Sequence, residues 1–134
     1  MIDREPEIYT YVRNAVKDLY PSVGFSSEYK QKPDKYPFVY LAESTNAVLR
    51  GTQDSGSLEN HAMVYYTAEV FSAKLNGKKT EAKEIASAVD DAMRFLGFTR
   101  TMSEPFPNES DATIYRIVMR YRGVIGTDGH VYTS

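Results

Sequence analysis

"AMVYYTAEV", residues 62–70, decides the fold. Its even positions carry Ala62, Val64, Tyr66, Ala68 and Val70, and its odd positions Met63, Tyr65, Thr67 and Glu69. Side chains along a β-strand point alternately to the two faces of a sheet, so this spacing predicts a strand with one face in a core. Such a face must be covered by a second layer, and the segments on either side of the strand supply it.

Downstream, "LNGKKT" reads as a turn and a helix start, with Gly77 closing the strand's exit and Thr80 placed to cap the next amides. Lys83 stands where a capping box would have Glu. Ala82, Ile85, Ala86, Val89, Ala92, Met93 and Leu96 then recur at steps of three and four, which predicts an amphipathic helix ended by Gly97. "FTRTMSE" reads as a strand broken by "PFPNES", because Pro105 and Pro107 are incompatible with a helix or a central strand. Residues 112–125 form a long strand with Tyr115, Ile117, Met119 and Tyr121 on one side and Arg116, Val118, Arg120 and Arg122 on the other. The tail from about residue 126 either turns at Asp128-Gly129 into a short last strand or stays mobile.

Upstream, Ile8, Val12, Ala15, Val16 and Leu19 keep helical spacing between Pro6, suited to a first turn, and Pro21. "VGFSSEYKQ" and "PFVYLAE" follow as two strands, read as a hairpin closed at Pro33-Asp34. The fold class is therefore α+β: an antiparallel or mixed β-sheet with two α-helices packed on one face. Residues 1–134 make a single domain, with a long loop at about 44–60 expected to be mobile.

Bulk composition narrows the function. The chain has 134 residues, 42% apolar and 25% charged, the balance of a globular domain that buries roughly two-thirds of its unfolded surface. Cysteine is absent, so there is no disulfide framework and no thiolate nucleophile. "MIDREPEIYT" lacks the apolar run of a signal peptide, and no stretch reaches the roughly 20 apolar residues of a membrane span. The expectation is a soluble protein made in the cytoplasm, with no membrane partner. Sixteen basic and 18 acidic residues are mixed along the chain for a net charge of −2, which leaves no long basic stripe for gripping nucleic acid. Eleven tyrosines without tryptophan fit either an interface or sheet faces with the hydroxyls at the rim.

Catalytic patterns are sparse. His61 and His130 stand far apart without metal-ligand spacing, and no G-x-S-x-G elbow occurs. Glu28-Tyr29-Lys30 spells the E-x-K of metal-dependent nucleases on an expected strand, without an upstream acidic partner. Gly77-Lys78-Lys79-Thr80 lacks the second glycine of a phosphate loop. Asp90 and Asp91 point about 100° apart on a helix and cannot share one substrate atom, while Asp90 sits four residues before Arg94 as in a helix ion pair. No enzyme activity, cofactor or metal is expected. Arg116, Arg120 and Arg122 form the one local basic cluster, a charged outer sheet face suited to intersubunit ion pairs or to phosphate contacts.

Between the second and third strands lies "RGTQDSGSLENH", with Leu58 as its one large apolar residue. Arg50, Asp54 and Glu59 offer both signs of charge, and so little apolar surface gives little self-packing. A partner would have to supply the contacts that order it.

The series "YPFVYLAES", "DSGSLENHAMVYYTAEVFS", "NGKKTEAKEIASAVDDAMRFLGFTRT", "PFPN" and "ATIYRIVMRYRGVI" resembles the tail terminator, or tail completion, proteins of long-tailed bacteriophages and prophages. The similarity runs from about Lys30 to Ile125 and rests on order, spacing and turn residues. The resemblance implies a virion structural protein that assembles with copies of itself into a hexameric ring at the head-proximal end of the tail. There it ends polymerisation of the tail tube protein and presents the surface joined to the head-neck connector protein. DNA passes through the ring without sequence-specific binding. Carried over, the loop with Arg50, Asp54 and Glu59 becomes the interface. Head-closure, neck and minor capsid components share this kind of subunit and are the alternative; a small metal-dependent nuclease is a more distant one.

Overall fold

The computed structural model describes residues 3–28, 35–48, 61–74, 76–107, 113–126 and 131–132. Helix α1, Glu5–Leu19, opens with Pro6 in its first turn and buries Ile8, Val12 and Val16, one residue per turn along a single stripe. It ends where the Tyr20 amide bonds the Val16 carbonyl at 2.8 Å, one residue before Pro21. Strand β1, Gly24–Ser26, follows, then β2, Phe38–Val48, and β3, His61–Ser72. Helix α2, Lys78–Phe95, leads to β4, Thr99–Pro107, β5, Tyr115–Gly126, and the short β6, Val131–Tyr132.

The fold is α+β, with a mixed sheet ordered β1-β2-β3-β5-β4. Because β3 runs along the whole of one side of β5, β4 and β6 lie end to end on the other, opposite residues 115–122 and 124–125. The long central strand has all its predicted inward positions, Ala62, Val64, Tyr66, Ala68 and Val70, fully buried. They meet Val39 and Leu41 of β2, Ile117, Met119 and Tyr121 of β5, and the apolar stripes of both helices in one core. Each large aliphatic side chain so buried contributes on the order of 1.5–3 kcal/mol.

Four local expectations are corrected. Strand β1 pairs with β2 in parallel, Gly24 opposite Phe38 and Ser26 opposite Tyr40, so the two are not a hairpin; Pro33-Asp34 lies outside the described residues. Glu28 falls in a bend after β1, where the Ser26 hydroxyl accepts its amide at 3.0 Å, and not on a strand as the E-x-K reading needed. Strand β2 continues to Val48, five residues into the expected loop, because Thr45 to Val48 pair with Tyr65 to Ala62 after a bulge at Ser44. Helix α2 starts at Lys78 after Gly77, whose φ of 90° favours glycine; Thr80 already lies in the helix and does not cap it.

The prolines of "PFPNES" do not break β4, which pairs with β5 through Pro105 and Pro107. An edge strand tolerates proline because its outer amides have no ladder to join. Gly97, with φ of 102°, stops α2 as expected, and the Phe98 amide returns to the Met93 carbonyl at 3.1 Å.

Candidate assembly interface

Both helices cover the same face of the sheet, so the functional question concerns the other face and the edges. On the uncovered face, β5 places Arg116, Val118, Arg120 and Arg122 beside Phe71, Glu69, Thr67 and Tyr65 of β3. These arginines share one face, as the alternation predicted, but their environments differ. Arg116 donates through Nε to Glu69 Oε1 at 2.6 Å, and its guanidinium lies 6.0 Å from the centre of the Phe71 ring. Glu69 is buried, and Phe38, Phe71 and Ile114 form a second small apolar cluster with Tyr36, Tyr40 and Ala73 around it. Arg116 is thus held within the subunit.

Arg120 is exposed and makes no ion pair with any described residue, and beside it Ser44, Thr45, Tyr65 and Thr67 line a shallow hollow of about 350 Å³. Arg122 stands opposite Tyr65, half-buried. Arg120 and Arg122 therefore lie about midway along β3, opposite Thr67 and Tyr65, whereas Val48 and Ala62, which flank segment 49–60, pair at the end of the ladder. Arg50, Asp54 and Glu59 lie in that segment, outside the described residues, as does His130.

On the helix side, the first turn of α1 meets β2 at the bulge. The Glu43 amide donates to Glu5 Oε2 at 2.7 Å, and the Glu5 amide donates to Asp3 Oδ1 at 3.1 Å. Burial, then the charges of Glu5 and Asp3, hold the Glu43 carboxyl above the usual Glu range, against a weaker opposing hydrogen bond from Asn46. Tyr66, the cross-strand partner of Glu43, is fully buried, and its hydroxyl has no hydrogen-bond partner. Burial and the charges of Glu43, Glu5, Asp3 and Glu7 push its pKa strongly upward. The run of acids at the chain start was readable in the sequence; its approach to Glu43, 38 residues away, was not.

Tyr66 and Tyr121, paired across β3 and β5, also correct the expectation of tyrosine hydroxyls at the rim. Tyr121 donates to Asp90 Oδ1 at 2.9 Å; burial first, then Asp90, raises its pKa strongly. The expected helix pair between Asp90 and Arg94 is present at 3.8 Å, and Arg100 of β4 comes closer, at 3.2 Å. Asp90 closes the floor of a groove of about 370 Å³ between α2 and β4, with Lys79 and Lys83 on one wall and Glu104 on the other. Its one buried carboxylate is engaged by Tyr121 and Arg100 and is poorly placed as a base. Among the described residues no three His, Asp or Glu side chains converge as a metal site needs, and no helix is long and apolar enough to cross a membrane.

No known family profile matches the chain, and no curated protein matches it. Among solved structures, the fold is shared with a chain from the virion of a native gene transfer agent particle, at a TM-score of 0.58 and 18% identity, over 86% of this chain and 88% of that one.

Proposed function

We propose that this chain is a virion structural subunit of the tail-terminator kind: copies close into a ring, a hexamer in our reading, at the head-proximal end of a tail tube. The ring caps the exposed tube subunits, ends their polymerisation and offers its opposite surface to the head-neck connector, while DNA passes through the lumen. The observation that carries this reading is the fold likeness to a virion particle chain over most of both chains. The sheet supports it, since one face is sealed by helices and the other exposes Arg120, which makes no ion pair with any described residue. A ring requires a heterologous interface, one patch meeting a different patch on the next copy, and a subunit with two unlike faces suits that geometry. Mixed charge along the chain favours passage of DNA over a tight grip on it.

The test is to measure the mass of the purified protein by light scattering, with and without tail-tube subunits, and to image the mixture by electron microscopy. Rings at tube ends are expected. Rings that attach only to head portals would move the protein to the neck, and metal-dependent DNA cleavage abolished by Glu28→Ala would replace the structural role by an enzymatic one. Asp54→Lys combined with Glu59→Lys is expected to leave thermal unfolding unchanged and to prevent attachment at tube ends.

A further inference from the structure

We infer that the carboxylates gathered where α1 meets the β2 bulge form a socket for a guanidinium of the next copy of this chain, and that Arg120 supplies it. The inference rests on the ring reading and names both halves of one contact. Asp3, Glu5 and Glu43 are linked by two amide-to-carboxylate hydrogen bonds, from the Glu43 amide to Glu5 Oε2 at 2.7 Å and from the Glu5 amide to Asp3 Oδ1 at 3.1 Å, which hold the three acids together at the surface. Glu7, one turn along, is only loosely matched by Arg4 at 3.6 Å. Like charges so arranged repel, and after burial they are the second cause that raises the pKa of Glu43.

An independent feature points to a ligand. The Tyr66 hydroxyl is fully buried, faces the same side as Glu43 across the strand pair, and has no partner. A buried hydroxyl normally finds one. Negative charge around an unmet donor and acceptor is the surrounding a cationic, hydrogen-bonding group would complete. The described acids do not converge on one point as ligands of a metal ion do. A guanidinium instead spreads five donors across a planar fork and reaches several carboxylates at once.

The occupant follows from charge and direction. Arg120 is exposed, makes no ion pair with any described residue, and sits on the sheet face opposite that of Glu43: it pairs with Thr67, whereas Glu43 pairs with Tyr66. Complementary patches on opposite faces of one subunit cannot meet within that subunit. They join copies head to tail, and head-to-tail contacts close into rings.

Two variants of the full chain test the contact, Arg120→Ala and the double variant Glu5→Gln with Glu43→Gln. Arg120 is exposed and Gln keeps the shape of Glu, so both are expected to unfold at or above the wild-type temperature. Sedimentation at low salt is expected to show wild-type self-association that weakens as salt screens the charges. Each variant alone should associate about tenfold more weakly or worse. Mixed together, the variants should give heterodimers and nothing larger, because only one of the two possible contacts, the intact acids of one with the intact Arg120 of the other, survives. Variants that assemble like the wild type would overturn the socket while leaving the ring reading standing. A wild type that never associates, even at tube ends, would overturn both. Calcium alone raising the melting temperature of the wild type but not of the double Gln variant would assign the acids to a metal ion and overturn the socket.

Discussion

Replacing Tyr121 by Phe and, separately, Tyr66 by Phe makes the same chemical change at two neighbouring places in the core, with opposite expected results. Both rings are fully buried and the residues pair directly across β3 and β5, so loss of the hydroxyl opens a similarly small void in each case. The difference lies in the partners. The Tyr121 hydroxyl donates at 2.9 Å to the buried carboxylate of Asp90, and a hydrogen bond to a charged group contributes about 1.5–3 kcal/mol. Arg100 and Arg94 remain near Asp90 after the change, but their side chains are 46% and 68% exposed and recover little of it. For a chain of 134 residues this loss lowers the melting temperature by about 5–10 °C. The Tyr66 hydroxyl has no partner to lose, so Tyr66→Phe is expected to be neutral or to stabilise by up to about 1 kcal/mol. Urea unfolding of the two variants at neutral pH measures the contrast, with unchanged slopes showing that the unfolded state is not altered. Equal destabilisation by both would refute the reasoning. It would mean that Tyr66 has a firm partner in the subunit, such as a bound water bridging to Glu43, and would remove one support of the arginine socket.

Two further outcomes are expected. Burial and the charges of Glu5 and Asp3 raise the folded-state pKa of Glu43, so the folded protein holds that proton more tightly than the unfolded chain. The associated stability is present below the unfolded value, about 4.3, and is lost as pH rises through the higher folded value. Glu43→Gln mimics the protonated form at every pH, so it should raise the melting temperature of the isolated subunit at neutral pH, with the gain vanishing below about pH 4; a gain that does not change with pH would contradict this cause. Gly24→Ala places a methyl 2.7 Å from Cδ2 of Phe38 and 3.3 Å from the Lys35 side chain, which forces the Phe38 ring off Phe71 at a loss of about 1–3 kcal/mol in thermal or urea unfolding.

The sequence made the main elements legible where one periodicity dominates. β3 alternates without a break, α2 repeats at three and four, and both survive as read because each presents one apolar face to one core. The parallel pairing of β1 escaped, because the direction of a three-residue strand is set by its tertiary partner β2 and not by any local pattern. The extra length of β2 escaped because Ser44 to Asn46 are polar, whereas what holds them is the backbone ladder to β3. The second cluster, with Phe38, Phe71 and Ile114, was hidden for a related reason: it draws on the face that alternation assigned to solvent. Of the candidate site, the alternation gave the arginine face correctly but could not separate the paired Arg116 from the exposed Arg120. That distinction depends on Glu69, 47 residues away in the chain.

The cluster also bears on where an interface can form. With Glu69 buried and bound to Arg116 beneath aromatic rings, the half of the uncovered face toward β2's start is already packed, and docking there would first have to break a desolvated ion pair. Among the described residues the other half has no such layer: Thr67, Tyr65 and Arg120 surround an open hollow next to the bulge at Ser44. The bulge serves both sides of the sheet, because it frees the Glu43 amide for Glu5 on the helix face while the hollow opens behind it. Acid patch and arginine are therefore fixed relative to each other through a few residues of one strand pair, and not through a flexible connection. In a ring, such rigidity sets the angle between successive subunits, and so the number of copies that close it.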